Sequence, residues 1–111
     1  MPGLTEITPE TLYQWLETGE AVAVDVRESQ ELAEARLKDF VHAPMSAFDP
    51  SLVPTDGKKK VVFVCARGQR SEQIGQHVVG SGILPEAYNM TGGLIAWHAA
   101  GLPLEFGPPA A

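Results

Sequence analysis

Cys65 is the only cysteine of the chain, and it follows the apolar run Val61-Val62-Phe63-Val64 and opens the segment Cys65-Ala66-Arg67-Gly68-Gln69-Arg70-Ser71. A continuous apolar run of this length fits a strand buried on both faces, as in a parallel sheet. The end of such a strand is where α/β sheets place their chemistry. A tight loop that runs into a helix start turns several backbone N–H groups toward one point, and the helix dipole adds partial positive charge there. Arg67 and Arg70 add two full charges. Together these favour the thiolate, drawing a cysteine pKa from about 8.5 toward neutral or below. The chemistry they describe is that of a thiolate nucleophile in an anion cradle, with Cys65 as catalytic group and Ala66, Arg67, Gly68, Gln69 and Arg70 as the substrate-binding loop. A lone cysteine after a hydrophobic strand also fits an inert buried hydrophobe. Two guanidinium groups so near the thiol weigh against that reading, because a structural turn has no need of them. Arg70 stands where the loop gives way to the helix and is expected to reach back over the sulfur.

The elements that position this loop alternate helix and strand. Thr8-Pro9-Glu10 reads as an N-cap, a proline at the first helical position and an early acid, and Leu12, Trp15 and Leu16 form an apolar stripe that Gly19 closes. A strand is expected over 21–26, a charged helix over 28–37 with Leu32 and Ala35 on one face, and a short strand over 41–43. A loop over 49–60 is marked by two prolines and Asp56-Gly57. The strand 61–64 precedes the cysteine and a helix over 71–79 follows it, with Ile74 and Val78 facing the sheet. A last short strand is expected over 87–89 and a final helix over 94–100. This alternation implies one α/β domain over residues 1–104, with a central parallel sheet of about five short strands and helices on both faces. Residues 105–111, with Gly107-Pro108-Pro109, are expected to form a flexible tail.

Composition agrees with one small enzyme domain. The 111 residues are 44% hydrophobic and 20% charged, which is globular usage and leaves no room for a second core. The formal charge of −6 argues against a nucleic-acid binder, whose footprint is basic. Lys58-Lys59-Lys60 reads as a solvated loop end. The N-terminal residues have neither a basic nor an apolar leader region, and no stretch approaches a membrane span, so a cytoplasmic chain is expected. One cysteine excludes an intramolecular disulfide and an internal resolving thiol.

Three stretches carry a family resemblance. They are Val24-Asp25-Val26-Arg27-Glu28, the loop 65–71, and Asn89-Met90-Thr91-Gly92-Gly93-Leu94-Ile95-Ala96-Trp97 continuing to Gly101-Leu102-Pro103. In this order, over about Ile7 to Leu104, the chain resembles the single-domain rhodaneses, the thiosulfate sulfurtransferase family. It departs from the family pattern at Ala35-Arg36-Leu37-Lys38-Asp39-Phe40, where a Gly-His-Ile-like turn is common, before Val41-His42-Ala43-Pro44 resumes the usual ending. That departure bears on rim geometry and partner choice rather than on the catalytic loop.

The resemblance implies a rhodanese fold and a double displacement through a Cys65 persulfide. A small anionic sulfur donor and a thiol acceptor are the implied partners, with a sulfur-relay protein as a further one, and neither a metal nor an organic cofactor is called for. Arg67, Arg70 and the loop amides would hold the donor's anionic end. Two alternatives on the same fold are an interaction module without chemistry, and a phosphatase or arsenate reductase. Intact Cys65 with both arginines speaks against the first. In cysteine phosphatases five residues separate nucleophile from arginine, whereas four separate Cys65 from Arg70, a shorter cradle suited to one additional sulfur atom.

The remaining polar candidates have plainer readings. His42, His77 and His98 match no zinc spacing. Asp25 and Arg27, at the end of the neighbouring strand, are read as a buried hydrogen-bonded pair that orders the loops, and Trp15 and Trp97 as core anchors. Gly92-Gly93 is too short for a dinucleotide fingerprint and permits close backbone approach at a helix start.

Overall fold

A computed structural model describes residues 3–107. Its first elements are β1 (Leu4–Ile7), α1 (Pro9–Thr18), β2 (Ala21–Asp25), α2 (Ser29–Glu34), β3 (Ala35–Arg36) and β4 (Val41–His42). Two 3-10 turns, Met45–Ala47 and Pro50–Leu52, lead to β5 (Lys60–Val64), α3 (Gln69–Gly80), β6 (Ala87–Met90), α4 (Gly93–Ala99) and β7 (Glu105–Phe106). Five strands form one parallel sheet in the order β1-β6-β5-β2-β4, and β3 pairs antiparallel with β7 in a separate ribbon.

Central strand β5 shows why its run is apolar throughout. Val61 and Phe63 point to one face, packing with Val24, Val26, Ile74 and Val78 beneath α3. Val62 and Val64 point to the other, packing with Leu12, Ala23, Met90, Leu94 and Trp97 beneath α1 and α4. The period-two alternation continues past the strand end. Cys65 therefore falls on the α3 face, in the Phe63 cluster.

The local signals for α1 act as read: the Thr8 hydroxyl oxygen accepts the Thr11 N–H at 3.1 Å, and Gly19 ends the helix at φ +78°. Trp97 is buried, donating from Nε1 to the Pro103 carbonyl at 2.9 Å and packing edge-on against Tyr13. Trp15 is half-buried, edge-on to Tyr88.

Three expectations need correction. The helix expected over 28–37 stops at Glu34, because the Ala35 carbonyl is taken by the Arg27 guanidinium at 2.7 Å and the extended Ala35 and Arg36 pair with Phe106 and Glu105. Ala35 thus leaves the helical face it was expected to share with Leu32. Residues 105–107 do not hang free: beyond the β3–β7 ribbon, the Gly107 N–H donates to Glu34 O and the Arg36 guanidinium donates to Gly107 O. Residues 108–111 lie outside the described residues. Finally, β1 adds an edge strand before α1 that the sequence reading did not foresee, paired in register with β6.

Candidate active site

Parallel register sets the site. Asp25 stands opposite Val64, so β2 and β5 end together, and the segments that leave them, 26–28 and 65–68, lie side by side at the C-terminal ends of the strands. Within the second segment the backbone is fixed from outside. The first turn of α4 donates Leu94 N–H to Cys65 O at 2.9 Å and Ile95 N–H to Ala66 O at 3.0 Å. With its carbonyls held outward, the loop directs amides inward. This approach requires Gly93: its φ is +63°, and a Cβ there would lie 2.4 Å from the Ala66 carbonyl carbon and oxygen. Gly68, at φ +92°, turns the chain into α3 under similar crowding from Gly92 N at 3.0 Å.

Cys65 is 1% exposed. Its Sγ accepts the Gly68 N–H at 3.1 Å, the Ser71 N–H at 3.4 Å and the Ser71 hydroxyl at 3.3 Å. Burial pushes the thiol pKa up; the donors from Ser71, together with the Arg67 and Gly68 amides, outweigh it and hold the pKa below the ordinary value. Amides at a helix start and the Ser71 hydroxyl thus favour the thiolate, and the Arg67 and Arg70 charges expected to share that role are not among the main causes.

The side chains of residues 66–70, unlike that of Ser71, make no hydrogen bond to the sulfur. Ala66 is half-buried, Gly68 is buried, and Arg67 and Gln69 are exposed; among the described residues Arg67 enters no ion pair. Arg70 does not hydrogen-bond to the sulfur. Its Nη1 and Nη2 donate to Glu31 Oε2 and Oε1, both at 2.8 Å, in a two-pronged fork. Glu31 also accepts the Glu28 N–H at 2.9 Å, and the Arg70 contact is the main cause of its pKa falling to about 2. The same contact raises the Arg70 pKa, with a smaller contribution from the Cys65 charge.

Asp25 and Arg27 are the buried pair that was read. Asp25 accepts the Arg27 Nε at 3.1 Å, Nη2 at 3.0 Å and backbone N–H at 2.9 Å, while the guanidinium continues to the Ala35 carbonyl. His42 donates from Nε2 to Arg27 O at 2.7 Å. His77 and His98 are exposed and lie edge-on to Phe48 and Phe106. Among the described residues no three His, Cys, Asp or Glu side chains gather as a metal site, and no helix is long and apolar enough to cross a membrane. A recess of about 650 Å³, lined by residues that include Tyr13, Leu37, Phe40, Trp97 and Leu104, includes no residue of the Cys65 loop.

Three residues beyond the sequence-derived site form a hydrogen-bonded line that reaches the sulfur through the first of them, Ser71. Besides Ser71 they are Asn89, whose Oδ1 accepts the Ser71 hydroxyl at 2.5 Å, and Glu6, which accepts Asn89 Nδ2 at 3.0 Å. Ser71 stood within the loop as read but was assigned no role. Asn89 carried a signal, a polar side chain in a short strand between apolar positions. Glu6 carried none, since its strand was not foreseen.

Comparison with known proteins agrees with this geometry. The rhodanese-like domain family matches residues 8–100. An uncharacterized protein of Synechocystis is 34% identical over 97 residues, covering 87% of this chain; the match spans 54% of that protein's length. A protein of Actinobacillus pleuropneumoniae named thiosulfate sulfurtransferase GlpE is 28% identical over 101 residues, covering 91% of this chain and 93% of its own. The crystal structure of a rhodanese-like domain protein from Staphylococcus aureus superposes with a TM-score of 0.72 at 30% identity, covering 84% of this chain and 90% of that one. Matched from α1 to α4, with a thiol held by helix-start amides at the end of its central strand, the chain belongs to the rhodanese-like domain family.

Proposed function

We propose that the protein is a sulfurtransferase that carries sulfur as a Cys65 persulfide. The observation that carries this reading is the set of donors on Sγ, two backbone N–H groups and one hydroxyl, in a loop whose carbonyls are tied away from the sulfur. The names of relatives such as GlpE support the same reaction class.

The Cys65 thiolate attacks the outer sulfur of a donor such as thiosulfate; the new S–S bond forms as the donor's S–S bond breaks, and sulfite leaves with the bonding electron pair. Charge moves to the terminal sulfur of the persulfide, where the inward amides of residues 66–70 stabilise it. A thiophilic acceptor, cyanide in an assay or a thiol in the cell, then takes that sulfur and returns the Cys65 thiolate. Electrons balance in both steps, so neither an external oxidant nor a cofactor enters. A lone thiol with this role belongs in a reducing compartment, in keeping with a cytoplasmic location. Phosphoryl transfer is the weaker reading, since it needs a clamping arginine and Arg70 is already forked to Glu31.

Thiocyanate release from thiosulfate and cyanide tests the reading. Wild type should turn over, and Cys65→Ser, with an unchanged circular dichroism spectrum, should be inactive. Activity retained by Cys65→Ser would sink the mechanism.

A further inference from the structure

A line of hydrogen bonds runs from the surface carboxylate of Glu6 through Asn89 and Ser71 to the Cys65 sulfur. The sheet builds it. Glu6 on β1 stands opposite Asn89 on β6, and Asn89 opposite Phe63 on β5. Partners in parallel register point to the same face, and for Phe63 that is the α3 face, where Ser71 and Cys65 lie.

The amide at the middle of the line has one orientation. Asn89 is 1% exposed, and its Nδ2 donates both to the Glu6 carboxylate, at 3.0 and 3.2 Å, and to the Gly68 carbonyl at 3.1 Å. Both neighbours only accept, so a flipped amide would set oxygen against oxygen. Oδ1 must therefore face Ser71. The Ser71 hydroxyl has a single proton and two acceptors, Asn89 Oδ1 at 2.5 Å and Sγ at 3.3 Å. When Cys65 is a thiol, S–H can donate to the Ser71 oxygen while the hydroxyl proton stays on Asn89. When Cys65 is a thiolate, sulfur and amide compete for that proton. Hydrogen bonding to a carboxylate polarises the amide and strengthens Oδ1 as an acceptor.

We propose that Glu6 is a positioning residue which, by clamping Asn89, sets how the Ser71 hydroxyl proton is shared between the amide and the Cys65 sulfur. The shared proton turns toward sulfur while Cys65 carries charge and back to Asn89 once the charge has moved outward onto a bound electrophile. This concerns the nucleophile itself, so its test requires no sulfur transfer.

Other charged groups around the sulfur stay constant in that test. Arg70 of α3 is paired with Glu31 of α2, Asp25 of β2 is paired with Arg27, Arg67 is exposed, and α4 presents backbone groups to the loop. The measurement is the pH dependence of Cys65 alkylation by neutral iodoacetamide in wild type, Glu6→Gln, Ser71→Ala and the double variant, each with its thermal midpoint recorded. Glu6 is exposed on an edge strand, so its replacement leaves the core intact, and Glu6→Ala serves as a second variant. Glu6→Gln should move the apparent pKa down by about half a unit, and Ser71→Ala should move it up by about one, the usual scale for a lost hydrogen bond to a charged group. In the Ser71→Ala background, Glu6→Gln should have no further effect, as coupling through one hydroxyl demands. An equal shift in both backgrounds would mean that Glu6 acts through space, and no shift in either would mean that it does not act on the sulfur. Either result overturns the proposal.

Discussion

The segments that leave β2 and β5 side by side solve the same problem in opposite ways. After β5, the loop at residues 65–68 points backbone N–H groups at a sulfur and leaves Arg67 in solvent. After β2, the charged side chains turn inward and are used up: Asp25 on Arg27, Arg27 on the Ala35 carbonyl, Glu31 on Arg70. The attraction for a thiolate is thus built from fixed backbone dipoles and the Ser71 hydroxyl, while the side-chain charges act as struts. Amides fixed by a helix need no reorganisation when charge develops, which is the condition for electrostatic stabilisation of a reaction.

Removing a strut should have the largest effect. Asp25→Ala leaves the Arg27 guanidinium buried and unpaired and should cost about 3–5 kcal/mol in a denaturant titration, with Cys65 alkylation unchanged in the fraction that remains folded. Next comes the backbone anchor. Gly93→Ala places a Cβ against the Ala66 carbonyl at a positive φ and should cost about 2–4 kcal/mol from overpacking and strain. Unlike Asp25→Ala, it should also raise the Cys65 pKa as the amides turn away. If Gly93→Ala left both stability and alkylation unchanged, the division between cradle and strut would be wrong.

Smaller effects come from the half-exposed fork. Glu31→Gln should change stability by less than about 1 kcal/mol. It should nevertheless speed alkylation by anionic iodoacetate relative to neutral iodoacetamide by several-fold, because Arg70 is released to act as a free charge. An unchanged reagent ratio would show that Arg70 is not held back by Glu31. The fork also has a pH signature. Since folding lowers the Glu31 pKa from 4.5 to about 2, its contribution to stability, kept small by solvent screening, is complete above pH 4.5 and is lost as pH falls through 2. Wild type should therefore lose more stability than Glu31→Gln across that window in acid titrations.

What the sequence disclosed and what it hid divide along the same line. Thr8, Pro9 and Gly19 bound α1 through contacts within a few residues, and Cys65 with its loop was legible because strand, cysteine and helix start are contiguous. The end of α2 was hidden, since it depends on Arg27 and on a ribbon partner at Glu105–Phe106. The partner of Arg70 lies 39 residues away on another helix, so proximity in sequence suggested the sulfur instead. Strand β1, with Leu4, Thr5, Glu6 and Ile7, has too short and mixed a pattern to declare itself, and it becomes a strand by pairing with β6. Long-range partners decide these features, and local periodicity cannot report them.

Intact mass spectrometry of the reduced protein after exposure to thiosulfate tests the central claim most directly. Wild type should gain one sulfur, roughly 32 Da, cyanide should remove it as thiocyanate, and Cys65→Ser should gain nothing, as a covalent intermediate on an activated thiolate requires. A wild-type protein that stays unmodified by thiosulfate and by a low-molecular-weight persulfide alike, with its thiol free, would contradict the account.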